Sequence, residues 1–211
     1  MNTGQGDPRL AAEQRARVLI DRQLTDAGWS VQDKKTLNLI AHQGVACREV
    51  VMKAGHGRVD YLLYVDRKVV GVIEAKPEGT TLSGVEWQSA VYANGLPAEV
   101  ELRSITVEGR LPFVFEASGS ETHFTNGYDP QPRARRIFAV PTPATLAQYV
   151  RDAEAEPDTP TWRAKVQHLP SLDEAPLRPA QITAIRGIER SLATQHYDRS
   201  LVQMATGAGK T

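Results

Sequence analysis

Residues 58–76, RVDYLLYVDRKVVGVIEAK, contain two apolar runs separated by three charged residues. The runs, 58–65 and 69–76, are rich in β-branched and aromatic side chains, a composition that favours β-strands. The charged residues Asp66–Lys68 between them favour a turn. The segment therefore predicts a β-hairpin with a three-residue loop.

The predicted hairpin brings three charged side chains together. A loop centred on Arg67 places Asp60 opposite Glu74, with their Cβ atoms about 5 Å apart. Glu74 and Lys76 share one face, because side chains alternate along a strand. Asp60 and Glu74 interrupt apolar strands, where an unpaired charge costs free energy. The alternative is that all three are strand charges that face solvent.

These residue types suit hydrolysis of a phosphodiester. Two opposed carboxylates repel each other, and a divalent cation between them removes the conflict. Mg²⁺ prefers carboxylate and water oxygens, and a bound ion of this kind lowers the pKa of its water. We therefore predict that Asp60 and Glu74 bind Mg²⁺ and that Lys76 orients or helps to deprotonate the attacking water.

The rest of the first 150 residues predicts an α/β or α+β core. Apolar residues at helical spacing and β-rich runs alternate along the chain. Helices are expected over 8–27, 82–94 and 143–154, and further strands over 48–54, 112–116 and 136–140. The strands are expected to be mostly antiparallel.

The last eight residues, MATGAGKT (204–211), follow a short apolar stretch, 200–203, that we expect to be a strand. Glycines in such a loop let backbone N–H groups approach phosphates. The loop resembles a Walker A motif in its helicase form, formed by Gly207, Gly209, Lys210 and Thr211. The resemblance implies that Lys210 reaches the β- and γ-phosphates of ATP and that the Thr211 hydroxyl binds Mg²⁺.

Upstream of this loop, LRPAQITAI (177–185) resembles the adenine-reading segment of superfamily 2 helicases. Gln181 would be the contact to the base. Ala180 stands where that family usually has an aromatic residue. Together with the Walker A motif, this segment suggests the first elements of a RecA-like P-loop domain.

The pattern Asp60…Glu74-Ala75-Lys76 resembles the PD-(D/E)xK nuclease superfamily. In that family the two acidic residues bind the metal and the lysine assists catalysis. Gln88 and Tyr92 match the QxxxY motif of several branches, and Glu13 matches an acidic residue that some members use as an additional metal ligand. The resemblance implies a restriction-endonuclease-like core, a mixed sheet flanked by helices.

A nuclease of this kind followed directly by a superfamily 2 motor resembles the restriction subunit of type I restriction–modification enzymes. The resemblance implies an ATP-driven translocase in the cytoplasm of a bacterium or archaeon that cuts duplex DNA. It also implies assembly with modification and specificity subunits. Two alternatives are a non-cleaving docking or DNA-binding module on a helicase or remodelling ATPase, and another ATP-dependent anti-phage nuclease.

Composition agrees with a cytoplasmic enzyme. No apolar run approaches a membrane span, the N-terminus lacks the apolar core of a signal peptide, and the single Cys47 excludes an internal disulfide. The net charge of zero combines a neutral segment 1–150, an acidic segment 151–175 and a basic segment 176–211. We predict that these are the nuclease domain, a linker and the start of the motor domain.

Overall fold

A computed structural model of the chain describes residues 8–77, 79, 82, 95–195, 197, 199–207 and 209. The chain divides into two compact units, residues 1–151 and 152–211. The domain boundaries taken from the sequence stay predictions.

One mixed sheet forms the framework of the first unit. Its described strands are β1 (Ser30–Asp33), β2 (Gly44–Val51), β3 (Arg58–Val65), β4 (Lys68–Ala75), β5 (Phe113–Ala117), β6 (Thr122–Asn126) and β7 (Arg135–Ile137). They lie side by side in chain order. The β1–β2 and β4–β5 pairs are parallel and the other pairs are antiparallel. The predicted α/β class with a mixed, mostly antiparallel sheet is confirmed.

Helices flank this sheet in the first unit and are also present in the second unit. They are α1 (Pro8–Asp26), α2 (Ala98–Glu101), α3 (Pro143–Ala155), α4 (Trp162–Gln167) and α5 (Pro179–Glu189). The helices predicted over 8–27 and 143–154 are confirmed, whereas the one predicted over 82–94 lies outside the described residues except for Leu82. No helix in the described part of the chain has the length and apolar character of a membrane span.

The sheet is buried on both faces. On one face, Tyr61 and Phe115 pack with Ile20 and Leu24 of α1 and with Leu146 of α3. A second, mostly aliphatic cluster covers the other face and includes Val45, Cys47, Leu62, Val72, Leu96 and Val114. Strands buried on both faces are apolar along their whole length rather than alternating. This explains the continuous apolar runs, and it makes every charge within them conspicuous.

The turn of the β3–β4 hairpin differs from the prediction. Only Asp66 and Arg67 form the loop, because Val65 already pairs with Lys68. Both loop residues have positive φ angles, 48° and 67°. This is the geometry of a type I′ turn, whose twist matches that of the paired strands. The predicted three-residue loop was therefore wrong.

A β-bulge restores the expected pairing further along the hairpin. The register shifts next to Leu63, so that Tyr61 pairs with Ile73. A bulge inserts one extra residue into one strand, which compensates for the shorter loop. Asp60 and Glu74 therefore each lie one residue beyond the last pair of the hairpin, Tyr61 with Ile73. The predicted three-residue loop gives the same register at this point.

Other local predictions failed where strand pairing decides the outcome. Strand β6 was not predicted, because THFTN (122–126) lacks a long β-rich run. The strand expected over 200–203 is absent from the described residues 199–207, and Leu201 is exposed. An isolated apolar run is not stable as a strand without a neighbour to pair with, and no strand is described in the second unit.

Close contact between β4 and β5 generates a prediction on stability. A Cβ atom on Gly71 would overlap the carbonyl oxygen of Phe113. We expect Gly71→Ala to lower the free energy of unfolding of the first unit by about 2 kcal/mol, because overpacking forces the strands apart. Urea unfolding followed by tryptophan fluorescence measures this.

Gly187→Ala is the matched control, because a Cβ there meets no atom within 4 Å and the site is helical. Alanine at Gly187 should leave the first unit unchanged. Equal stability of Gly71→Ala and the unsubstituted chain would contradict the packing argument.

Candidate active site

Asp60 lies where β3 and β4 stop pairing. Its Oδ2 accepts a hydrogen bond of 2.9 Å from the backbone N–H of Ala75, beyond the last paired residues of the hairpin. Its Oδ1 accepts a 2.7 Å hydrogen bond from Nη2 of Arg17 on α1. The Asp60 side chain is 12% exposed. The carboxylate thus ends the β3–β4 ladder and ties helix α1 to it.

Glu74 and Lys76 meet on the neighbouring strand. Lys76 Nζ lies 3.3 Å from Glu74 Oε1, and both side chains are largely buried. The backbone N–H of Lys76 donates a 2.8 Å hydrogen bond to the carbonyl of Ala117, which fixes this end of β4 against β5. The structure therefore brings together the predicted carboxylate and lysine of the Glu74-Ala75-Lys76 motif.

A further carboxylate, Glu116, was missed by sequence reasoning. It pairs in register with Glu74 across the parallel β4–β5 pair and with His123 across β5–β6. In-register residues of neighbouring strands point to the same face. Glu116 is 5% exposed. The signal was available, because Glu116 interrupts the apolar run FVFEA (113–117), just as Asp60 and Glu74 interrupt theirs.

The environment of Glu116 disfavours its charge. Burial raises the pKa of its carboxyl group, and the nearby Glu74 carboxylate raises it further, whereas Lys76 and His123 act in the opposite direction. The Oε2 atom of Glu116 is buried and has no hydrogen-bond partner among the described residues. A buried polar atom without a partner costs free energy. This end of the sheet therefore holds a carboxylate that its protein neighbours do not fully compensate.

Helix α1 is fixed to the sheet by a polar network next to the site. The Asp21 carboxylate accepts hydrogen bonds from the Tyr61 hydroxyl at 2.9 Å and from two nitrogens of Arg48 at 3.2 and 2.9 Å. The Tyr61 hydroxyl also lies 3.2 Å from the Arg17 carbonyl oxygen, to which it donates. This network fixes the position of α1 relative to β2 and β3 and thereby holds Arg17 next to Asp60.

Other predicted site residues lie at or beyond the limits of the described structure. Glu13 belongs to α1, one helical turn before Arg17, but its side chain is not described. Gln88 and Tyr92 lie outside the described residues. Their roles in catalysis or metal binding stay predictions.

The described donors fit a hard divalent cation. Asp60, Glu74 and Glu116 supply carboxylate oxygens, and Glu116 supplies one that is buried without a partner. No group of three or more acidic, histidine or cysteine side chains in the described part of the chain is arranged as a metal site. Mg²⁺ usually keeps several waters and takes only one or two carboxylates, so a complete protein cage is not required for it.

In the second unit, the glycine-rich loop contacts helix α5. Gln181 Nε2 donates a 2.6 Å hydrogen bond to the Gly209 carbonyl, and Gln181 Oε1 accepts one of 2.9 Å from the Arg178 backbone N–H. Gly207 and Gly209 have φ angles of 80° and 76°, which glycine adopts readily. The predicted phosphate-binding residues Lys210 and Thr211 lie outside the described residues.

Comparison with known proteins points to one family. The family model of the second domain of the type I restriction enzyme EcoKI endonuclease subunit matches residues 30–125. The type I restriction enzyme EcoKI endonuclease subunit of Escherichia coli (strain K12) is 26% identical over 95% of this chain. The chain spans 20% of the length of that relative.

A solved structure is also similar. It is the fragment structure of a putative HsdR subunit of a type I restriction enzyme from Vibrio vulnificus YJ016. The similarity covers 93% of this chain and 35% of that one, with 23% identity and a TM-score of 0.46. The family match, from β1 into β6, contains Asp60, Glu74, Lys76 and Glu116.

The buried Glu116 carboxylate predicts a pH-dependent stability. Because its pKa is raised in the folded protein, its contribution to stability is present below the unfolded value of about 4.3. The contribution is lost as pH rises through the folded value. Glutamine does not ionise. We expect Glu116→Gln to match the unsubstituted chain near pH 4 and to be more stable near pH 8, in urea unfolding with EDTA.

Glu121→Gln is the control, since Glu121 is more exposed and pairs with Arg136. The difference in free energy of unfolding between Glu121→Gln and the unsubstituted chain should not rise comparably from pH 4 to pH 8. A Glu116→Gln chain that is less stable near pH 8 would contradict the assigned environment.

Proposed function

We propose that this chain, which is similar to the endonuclease subunit of a type I restriction enzyme, carries the Mg²⁺-dependent, DNA-cleaving site of such a subunit. The observation that carries the proposal is the contact between Lys76 Nζ and the Glu74 carboxylate, 3.3 Å apart, at the partly buried end of β4. This pair lies within the residues that match the family model. Glu74 lies one residue beyond the last β3–β4 pair, Tyr61 with Ile73, and Asp60 lies one residue beyond it on the other strand.

Each residue has a role that its position allows. Asp60 and Glu74 would hold the ion, and Mg²⁺ when bound supplies an activated water and stabilises charge on the phosphate. The Lys76 ammonium, held beside Glu74, would orient that water toward the phosphodiester. Arg17 donates a hydrogen bond of 2.7 Å to Asp60 Oδ1, so a cation would have to share this carboxylate with Arg17 or displace it.

The alternative is a non-cleaving docking or DNA-binding module. A docking module does not require carboxylates within apolar strands. Such carboxylates destabilise the fold unless a cation compensates their charge. Glu74 is 18% exposed and Glu116 is 5% exposed. Their burial supports the metal-dependent site. Divalent-ion binding that depends on Glu74 separates the two functions.

The partners follow from the proposed family role. We propose that the site acts on duplex DNA in a complex with modification and specificity subunits. Residues 176–211 would begin an ATP-binding superfamily 2 motor, with Gln181 beside Gly209 at its nucleotide loop. A related ATP-dependent anti-phage nuclease with the same domain order would use the same site residues.

Lys76→Ala tests the proposed chemistry. We expect it to lower DNA cleavage by at least about 100-fold, because loss of a positioned charged group costs on the order of 2.7 kcal/mol or more in the transition state. ATP hydrolysis should continue. The assay uses the full-length subunit assembled with its modification and specificity subunits, a plasmid with their recognition site, Mg²⁺ and ATP.

Lys68→Ala is the matched control, since Lys68 is an exposed lysine at the other end of the same strand. It should cut like the unsubstituted enzyme. Undiminished cleavage by Lys76→Ala would reject the proposed role of the lysine.

A further inference from the structure

Glu116 is the most unusual charged residue of the first unit that the proposed mechanism does not yet use. It is 5% exposed, and its Oε2 has no hydrogen-bond partner among the described residues. Its neighbours along the strand, Phe115 and Ala117, belong to the hydrophobic core. A residue with no functional role at this position would be expected to be apolar.

The sheet places Glu116 beside the proposed metal ligand. Glu74 and Glu116 are in register on parallel strands, and neighbouring strands lie about 4.8 Å apart. Because in-register side chains share a face, the two carboxylates stand side by side.

None of the described neighbours supplies a partner for the Glu116 Oε2 atom. Lys76 Nζ is 3.3 Å from Glu74 Oε1. His123, on the other side of Glu116, is a single partly exposed imidazole. Asp60 is more completely satisfied, by Arg17 and by the Ala75 N–H. The uncompensated oxygen of the site therefore belongs to Glu116 rather than to the aspartate.

We infer that Glu116 is a ligand of the divalent cation together with Glu74, so that two neighbouring parallel strands hold the ion between them. The inference rests on the proposed function, since it concerns the same metal site. A dication beside Glu116 supplies a partner for the buried Oε2 and removes the repulsion between the two carboxylates. It adds a residue outside the sequence motif to the site.

Mn²⁺ binding tests this assignment without relying on DNA cleavage. Free Mn²⁺ is titrated by electron paramagnetic resonance into the full chain and into Glu116→Gln, Glu74→Gln and Glu121→Gln. We expect Glu116→Gln and Glu74→Gln to weaken binding at least tenfold, because each loses an anionic oxygen ligand. Glu121→Gln should bind like the unsubstituted chain. Circular dichroism in EDTA confirms that each variant is folded.

The outcomes separate the inference from the proposed function. Loss of binding in Glu74→Gln but unchanged affinity in Glu116→Gln overturns the role of Glu116 and leaves the proposed site in place. No Mn²⁺ binding by the unsubstituted chain overturns both. If Glu116→Gln does not fold, Glu116→Asp replaces it. Aspartate keeps the negative charge, but its side chain is one methylene shorter, so the carboxylate lies farther from the proposed ion. A tenfold loss then supports the inference and an unchanged affinity rejects it.

Discussion

Two glutamates, Glu74 and Glu116, are in register on neighbouring parallel strands, and the burial of the Glu116 carboxylate is the constraint on which this end of the sheet depends. Lys76 lies against one of them at 3.3 Å, and His123 flanks the other. Asp60 is kept apart by its own partners on α1 and β4. The arrangement places carboxylates in a largely buried environment, where an uncompensated charge costs free energy.

The position of helix α1 follows from the same constraint. Asp21 accepts hydrogen bonds from Tyr61 and Arg48, and this anchors the helix across β2 and β3. Arg17 then reaches Asp60, and Glu13 lies one helical turn earlier. A polar network on the sheet thus determines which residues of α1 stand near the carboxylates, although the contact between helix and sheet is otherwise hydrophobic.

Sequence reasoning found the strands and the charges within them, because burial on both faces makes β3 and β4 continuous apolar runs. It predicted the register at the end of the hairpin, where Asp60 and Glu74 lie just beyond the last paired residues, from a loop of the wrong length, since one residue fewer in the turn is offset by a bulge at Leu63. Glu116 also interrupts an apolar run, but sequence reasoning did not place it beside Glu74, because the partner of β4 is set by long-range pairing, which periodicity does not report. It also did not foresee Arg17, whose role depends on how α1 packs.

The neutral charge of residues 1–150 fits a nuclease once the site is considered as a metal site. A protein that binds DNA through its own side chains needs an excess of basic residues to neutralise phosphates. Here the acidic residues at the end of β4 and β5 would instead recruit a dication, whose charge acts where the phosphodiester is cut. The same carboxylates that destabilise the metal-free sheet would then hold the dication where the phosphate binds. A neutral domain with buried acidic residues is therefore consistent with a polyanionic substrate.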